Sequence, residues 1–272
     1  MKIKMKGIFI MMESYGKTDE NGSLVINKSM IVENAVFSNN LYAKKIHKDK
    51  RPYHTFRTST VIADGNNIKF KNCLFKNTAG SGRNVGQAIA LYLDGDGIEL
   101  NDCIISGFQD TLFLAPLPEK EREKDGFLGP KQFCMRKNRK FVFRNCLIKG
   151  SVDFVFGGAE AYFYDCEFMS LENGYVFAPC TPEGMKGFTA IDCRFTAAPG
   201  VALGSCFLGR PWRNFGEVTL KNCEIGEHIS LTGWSKWPGI EDVSTVRFTE
   251  IGSYGPLENK FSRPSWVRFE SR

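Results

Sequence analysis

Two aspartates, Asp110 and Asp153, stand 43 residues apart, and so do two cysteines just upstream of them, Cys103 and Cys146. The surrounding segments, Cys103-Ile104-Ile105-Ser106-Gly107-Phe108-Gln109-Asp110-Thr111-Leu112-Phe113 and Cys146-Leu147-Ile148-Lys149-Gly150-Ser151-Val152-Asp153-Phe154-Val155-Phe156, carry Cys, Gly, Asp and Phe at the same offsets. If the cysteines occupy equivalent places in stacked repeats, the two carboxylates fall about 5 Å apart at backbone level, the spacing of neighbouring strands. Carboxylates that close repel, so one pKa rises and the pair can divide the roles of acid and nucleophile. Gln109 precedes Asp110, and Gln87 opens the apolar run Gln87-Ala88-Ile89-Ala90-Leu91. Two amide donors beside two carboxylates suit an oxyanion hole. In Leu208-Gly209-Arg210-Pro211-Trp212 the Arg210 guanidinium could hold one carboxylate ionised. Trp212 could stack on a sugar face or simply fill core. Aspartates at matching offsets are also what turns use, so a purely structural reading stays open here.

The elements that would position these groups emerge once the cysteines are aligned. Ile68-Lys69-Phe70-Lys71-Asn72-Cys73-Leu74-Phe75 is followed by related segments around Cys103, Cys146, Cys166, Cys193 and Cys223, with a degenerate copy at Ile31-Val32-Glu33-Asn34-Ala35-Val36-Phe37. Each reads apolar-x-apolar-x-(Asn/Asp)-Cys-x-(Phe/Ile), a strand of period two ended by an Asn or Asp bend. Repeats of 20 to 43 residues made of strand and turn, without helical periodicity, predict an all-β parallel β-helix with internal ladders of Cys, Phe and Ile. A β-sandwich would need hairpin signals and would not explain the ladder. The cysteines are thus expected to be buried reduced thiols, and without a Cys-x-x-Cys pair a zinc site is not expected.

Composition narrows the class further. With 42% hydrophobic and 24% charged residues the chain is neither disordered nor membrane-embedded, and no stretch approaches a membrane span. A net charge of +6 suits a polyanionic partner but carries little weight alone. A Gly-x-Ser-x-Gly elbow and a phosphate-binding loop are both missing, and His47, His54 and His228 lie far from any nucleophile motif. The whole of 1–272 is expected to form one domain, with an atypical start over 1–40 and a charged, Pro/Gly-rich insertion at about 115–138 forming a surface loop that walls a groove. The short apolar run Gly7-Ile8-Phe9-Ile10-Met11-Met12 lacks a cleavage site, so the chain as written reads as cytoplasmic, or as secreted if its true start is missing. The aromatic segment Gly233-Trp234-Ser235-Lys236-Trp237-Pro238 reads as a break in the repeat.

Four segments, Gln87-Ala88-Ile89-Ala90-Leu91, Gln109-Asp110-Thr111-Leu112, Asp153-Phe154-Val155-Phe156-Gly157 and Leu208-Gly209-Arg210-Pro211-Trp212, resemble the signature motifs of the pectin methylesterases, in the family's order. Thr55-Phe56-Arg57-Thr58 is similar to a further family segment, and the insertion closing with Gly129-Pro130-Lys131-Gln132-Phe133 resembles the bacterial branch. The resemblance runs from about Leu41 to Gly255. It implies a right-handed parallel β-helix that removes methyl esters from galacturonate units of pectin and releases methanol through an aspartyl acyl-enzyme. In the roles it implies, Asp153 is the nucleophile held ionised by Arg210, Gln87 and Gln109 bind the oxyanion, and Asp110 is the general acid and then base. Trp212 and Phe156 line the sugar groove, with Thr55 beside them. The implied partner is methylated pectin or its homogalacturonan oligosaccharides, with no cofactor, metal, nucleic acid or membrane, and the enzyme is expected to be a monomer. The segment before Asn40 matches neither the family's extra first turn nor its Gly-x-Tyr-x-Glu motif and N-terminal helix. A solenoid shortened there, with a short C-terminal segment ending at Arg272, is expected to leave apolar ends exposed. A β-helix lyase or glycosidase, and a pectin-binding solenoid without catalysis, are the alternative readings.

Overall fold

The computed structural model describes residues 15–240 and 242–270, so the apolar run at 7–12 lies outside the described residues. Among the described residues the strands form three sheets, of eight, seven and nine strands. The chain visits the three in rotation. One circuit runs through Leu91–Leu93, Ile98–Asn101 and Ile104–Ser106, and the next through Leu112–Leu114, Lys140–Arg144 and Leu147–Gly150. Each strand pairs in parallel with its equivalent one circuit on, for example Ile104 with Leu147 and Leu112 with Val155. Lys17–Thr18 is antiparallel to its neighbour. This is a parallel β-helix, as the repeat predicts.

The bend in every repeat has a conformational cause. Asn34, Asn72, Asp102, Asn145, Asp165, Asp192 and Asn222 all have φ between 50° and 56°. That left-handed region disfavours most side chains and is visited most readily by Gly, Asn and Asp. Each turns the chain from the nine-stranded sheet to the seven-stranded one, and the residue that follows, Ala35 at the first bend and Cys at the other six, is buried. The backbone amides at the bends bond across circuits, Asp102 to the Arg144 carbonyl at 3.1 Å and Asn145 to that of Tyr164 at 3.0 Å. The side chains add a ladder outside, with Asn145 Nδ2 donating to Asp102 Oδ1 at 2.7 Å. Inside, Cys73, Cys103, Cys146, Cys166, Cys193 and Cys223 are buried and free. Phenylalanines stack beside them, Phe143 on Phe163 at 4.6 Å and Phe168 on Phe195 at 5.2 Å.

At one end the degenerate copy at 31–37 is part of a full circuit, and at the other the expected open end is corrected. Leu24–Ile26, Ile31–Glu33 and Val36–Asn39 pair in parallel with Val61–Ala63, Lys69–Lys71 and Leu74–Asn77, so the residues just before Asn40 make a circuit of the regular kind. After Cys223 the nine-stranded sheet continues through Arg247–Ile251 and Arg268–Glu270. Trp234, 2% exposed, lies on Phe248 at 4.5 Å, and Trp266 packs on the same ring at 5.7 Å, covering the apolar core at this end. Trp234 Nε1 and Arg263 both donate to Glu250, which is wholly buried. The core is therefore closed here by a satisfied polar cluster rather than left open.

The insertion is anchored more firmly than its composition suggests. Lys131 pairs with Asp64, Arg139 with Asp94, and Lys137 with Asp96. Phe127 and Leu128 are buried, and Phe127 meets Phe56 edge-on at 6.0 Å. The charged tip from Glu119 to Lys124 stays exposed.

Candidate active site

Asp110 and Asp153 sit at another corner of the β-helix, where the chain enters the eight-stranded sheet. Both have left-handed backbones, φ 59° and 51°, one circuit apart, and the Asp110 amide donates to the Val152 carbonyl at 3.0 Å. The turn-forming reading of the pair therefore holds. A left-handed Asp tilts its carboxyl out of the sheet while the residues that follow, Thr111 and Phe154, are wholly buried. Gln109 and Gln87 stand on adjacent circuits, tied by the Ala88 amide donating to the Gln109 carbonyl at 3.1 Å. Among the described residues neither amide side chain has a hydrogen-bond partner, so their donors are available to a ligand. Gln109 packs against Gly82, where a Cβ would lie 2.6 Å from the Gln109 Cβ. Only glycine admits that approach.

Arg210 follows the strand Phe207–Gly209, two strands beyond Asp153 in the sheet. Its Nε donates to Asp153 Oδ1 at 2.9 Å and its Nη2 to Oδ2 at 2.7 Å, a bidentate pair. Burial raises the Asp153 carboxyl above its usual range, and the Arg210 hydrogen bonds and charge act against that rise. Asp110 has the burial and the neighbouring Asp153 charge but no guanidinium bonded to it, and is pushed well above the usual carboxylate range. The environments therefore separate the two titrations in the sense an ionised nucleophile and a protonated acid require.

All eight residues singled out in the sequence line one cleft of about 630 Å³: Gln87, Gln109, Asp110, Asp153 and Arg210, together with Thr55, Phe156 and Trp212. Phe156 is 3% exposed and forms floor rather than wall, meeting Trp212 edge-on at 5.9 Å. Thr55 opens a short 3-10 turn at the rim. The insertion contributes Arg122, Glu123 and Phe127 to the lining. His54 also reaches this rim. Among the described residues no cluster of His, Cys, Asp and Glu could hold a metal ion, and no helix is long and apolar enough to cross a membrane.

Sequence reasoning missed two aromatics that bear on Arg210. The guanidinium carbon lies 3.9 Å from the centroid of Tyr175 and 4.2 Å from that of Trp237. These faces hold the planar group where its two donors meet Asp153, at a distance where cation–π attraction is strong. Trp237 belongs to the aromatic segment read only as a break in the repeat. Tyr175 points outward from the strand Tyr175–Pro179, and nothing local marks it.

The pectinesterase family model matches residues 8–117 and 132–272, and the chain belongs to the pectinesterase family. The unmatched stretch falls within the insertion. Among curated relatives it is 31% identical over 224 residues to putative pectinesterase/pectinesterase inhibitor 43 of Arabidopsis thaliana, covering 78% of this chain and 28% of that protein. It is 28% identical to probable pectinesterase 30 of the same plant, covering 86% of this chain and 43% of that one. The chain thus spans less than half the length of these relatives. Its fold is that of the carrot pectin methylesterase (TM-score 0.71, 21% identity, covering 95% of this chain and 82% of that one) and of the Yersinia enterocolitica pectin methylesterase (0.68, 21%, 98% and 94%). The β-helix is right-handed, as in those structures.

Proposed function

We propose that this protein hydrolyses the methyl esters of galacturonate units in pectin and its oligosaccharides, releasing methanol through an aspartyl acyl-enzyme. The observation that carries the reading is the bidentate Arg210–Asp153 pair beside Asp110, whose carboxyl is far harder to ionise, in an open cleft of a pectinesterase-family fold. Asp153, ionised by its guanidinium partner, attacks the ester carbonyl. The negative charge that develops on the carbonyl oxygen is met by the amide groups of Gln87 and Gln109. Asp110 gives its proton to the departing methoxide, leaving methanol and an anhydride between Asp153 and the sugar acid. Asp110, now a carboxylate, takes a proton from water, the hydroxide attacks the anhydride, and free galacturonate and Asp153 are regenerated. Trp212 offers flat apolar surface for the sugar rings, with Phe156 beneath it as floor. The chemistry needs one polymer chain and one copy of the enzyme.

The test is product analysis on highly methylated pectin. Methanol and carboxylate should appear in equal amounts, with polymer length unchanged and no effect of a chelator. Unsaturated or shortened products, or dependence on calcium, would point instead to a lyase or glycosidase. Binding without methanol release would point to a non-catalytic solenoid.

A further inference from the structure

Gln87 lies between the short helix Gly82–Val85 and the strand Leu91–Leu93, outside both, so individual hydrogen bonds rather than a regular ladder fix its place. The Ala43 amide donates to the Gln87 carbonyl at 2.9 Å. Two residues further on, both polar backbone groups of Ile89 enter a buried knot. The Ile89 amide donates to Thr58 Oγ1 at 3.0 Å, and that hydroxyl donates to the Thr55 carbonyl at 2.6 Å. The Ile89 carbonyl accepts from the Thr60 amide at 3.0 Å and from Asn77 Nδ2 at 3.2 Å. Asn77 Nδ2 also donates to the carbonyls of Leu41 at 2.8 Å and Thr58 at 3.2 Å, while Asn77 Oδ1 accepts from the Ala79 amide at 3.0 Å. Three carbonyls on one side and an N–H on the other leave this amide a single orientation. Thr58 and Ile89 are wholly buried and Asn77 is 3% exposed. A buried group that lost its partner here would go unsatisfied, so the knot specifies one arrangement of the chain.

Resting on the function proposed above, we infer that Thr58 and Asn77 are positioning residues for the oxyanion donor of Gln87. Neither is among the residues that line the cleft, whereas the segments they join both reach it, Thr55 at the rim and the Gln87 arm through Ile89. An amide that meets charge only as it develops on the carbonyl oxygen has to stand in place beforehand. A displacement of about 1 Å caused by a change remote from the chemistry costs on the order of a hundredfold in rate. The hydroxyl of Thr58 and the amide of Asn77 hold Ile89 from its two sides, and Gln87 is set by what they hold.

The experiment measures methanol release from highly methylated pectin by wild type, Thr58→Val, Thr58→Ser, Gln87→Ala and the double change Thr58→Val with Gln87→Ala, each checked for fold by circular dichroism. Valine keeps the shape of threonine and removes the hydroxyl, so the Ile89 amide loses its acceptor. Thr58→Val should lower kcat by roughly tenfold to a hundredfold, with KM little changed, and Thr58→Ser should restore most of that loss. In the Gln87→Ala background no amide remains to be positioned, and there Thr58→Val should cost about twofold or less. Should Thr58→Val fail to fold, Asn77→Ser, which keeps one donor for the three carbonyls, takes its place in the same cycle with the same expectation. A folded variant with the kcat of wild type, or a loss as large in the Gln87→Ala background as in wild type, overturns the assignment, because the knot would then serve stability alone. Absence of methanol from folded wild type would instead overturn the esterase reading beneath it.

Discussion

Asp110 and Asp153 share a left-handed corner of the backbone one circuit apart, and what distinguishes them is the company each keeps. Asp153 is bonded twice by Arg210, whereas Asp110 faces burial and its neighbour's charge without such a bond. That difference has a consequence for stability. A carboxyl whose pKa is raised by folding binds its proton more tightly in the folded state, so stability is greatest below the unfolded pKa and declines as pH rises toward the folded one. Asp110→Asn should therefore raise Tm at pH 7 relative to wild type, with the gain shrinking toward pH 4, while methanol release collapses. Scanning calorimetry across that range checks it, and a loss of Tm at pH 7 would contradict it. Arg210 in turn depends on its two aromatic faces. Tyr175→Ala should lower kcat by roughly tenfold, the value of a partly desolvated cation–π contact, with Tyr175→Phe close to wild type in steady-state assays. The aspartate pair was legible because the repeat places it twice. Tyr175 and Trp237 were not, because they meet Arg210 only through the stacking of strands and a return of the chain after the last cysteine.

The corner residues and the insertion decide the architecture at the level of elements. The Asn/Asp-Cys bends were legible because a left-handed residue followed by an inward one leaves a compositional trace at every circuit. Asn145, with φ 50° and a side chain bonded to Asp102, tests the explanation. Asn145→Ala should cost about 1–2 kcal/mol from the left-handed backbone alone. Asn145→Gly should cost less, because glycine adopts that conformation freely. Urea denaturation of the two variants separates these outcomes, and equal losses would mean that the side-chain ladder, not the bend, matters. The insertion was legible as a loop from its charges and prolines. Its anchorage on Asp64, Asp94 and Asp96 was not, since the partners lie 41 to 67 residues away in the chain.

At the scale of the whole molecule, the parallel β-helix follows from repeat length and period, but its closure after Cys223 does not. The sequence shows a loss of repeat there. The structure shows Trp234, Phe248 and Trp266 over the core, with Glu250 held by Trp234 and Arg263. No periodicity could announce that cluster, because its members come from three separate stretches, at Trp234, within Arg247–Ile251 and at Arg263 to Trp266. Arg263 and Glu250 are 2% and 0% exposed in their side chains, so Arg263→Met leaves a buried carboxylate uncompensated. The expected cost is about 3–5 kcal/mol in urea denaturation, with the double change Arg263→Met and Glu250→Gln recovering part of it. A single variant as stable as wild type would show that this end of the solenoid is closed by packing alone.

The most direct test of the account is methanol release from highly methylated pectin by wild type beside Asp153→Asn, with the fold of both checked by circular dichroism. The account predicts steady release by wild type and a fall of roughly a thousandfold or more in a folded Asp153→Asn enzyme, the scale on which loss of a nucleophile is felt. Release by that variant at a rate near wild type would contradict it, because the carboxylate held by Arg210 would then not be the group that attacks the ester.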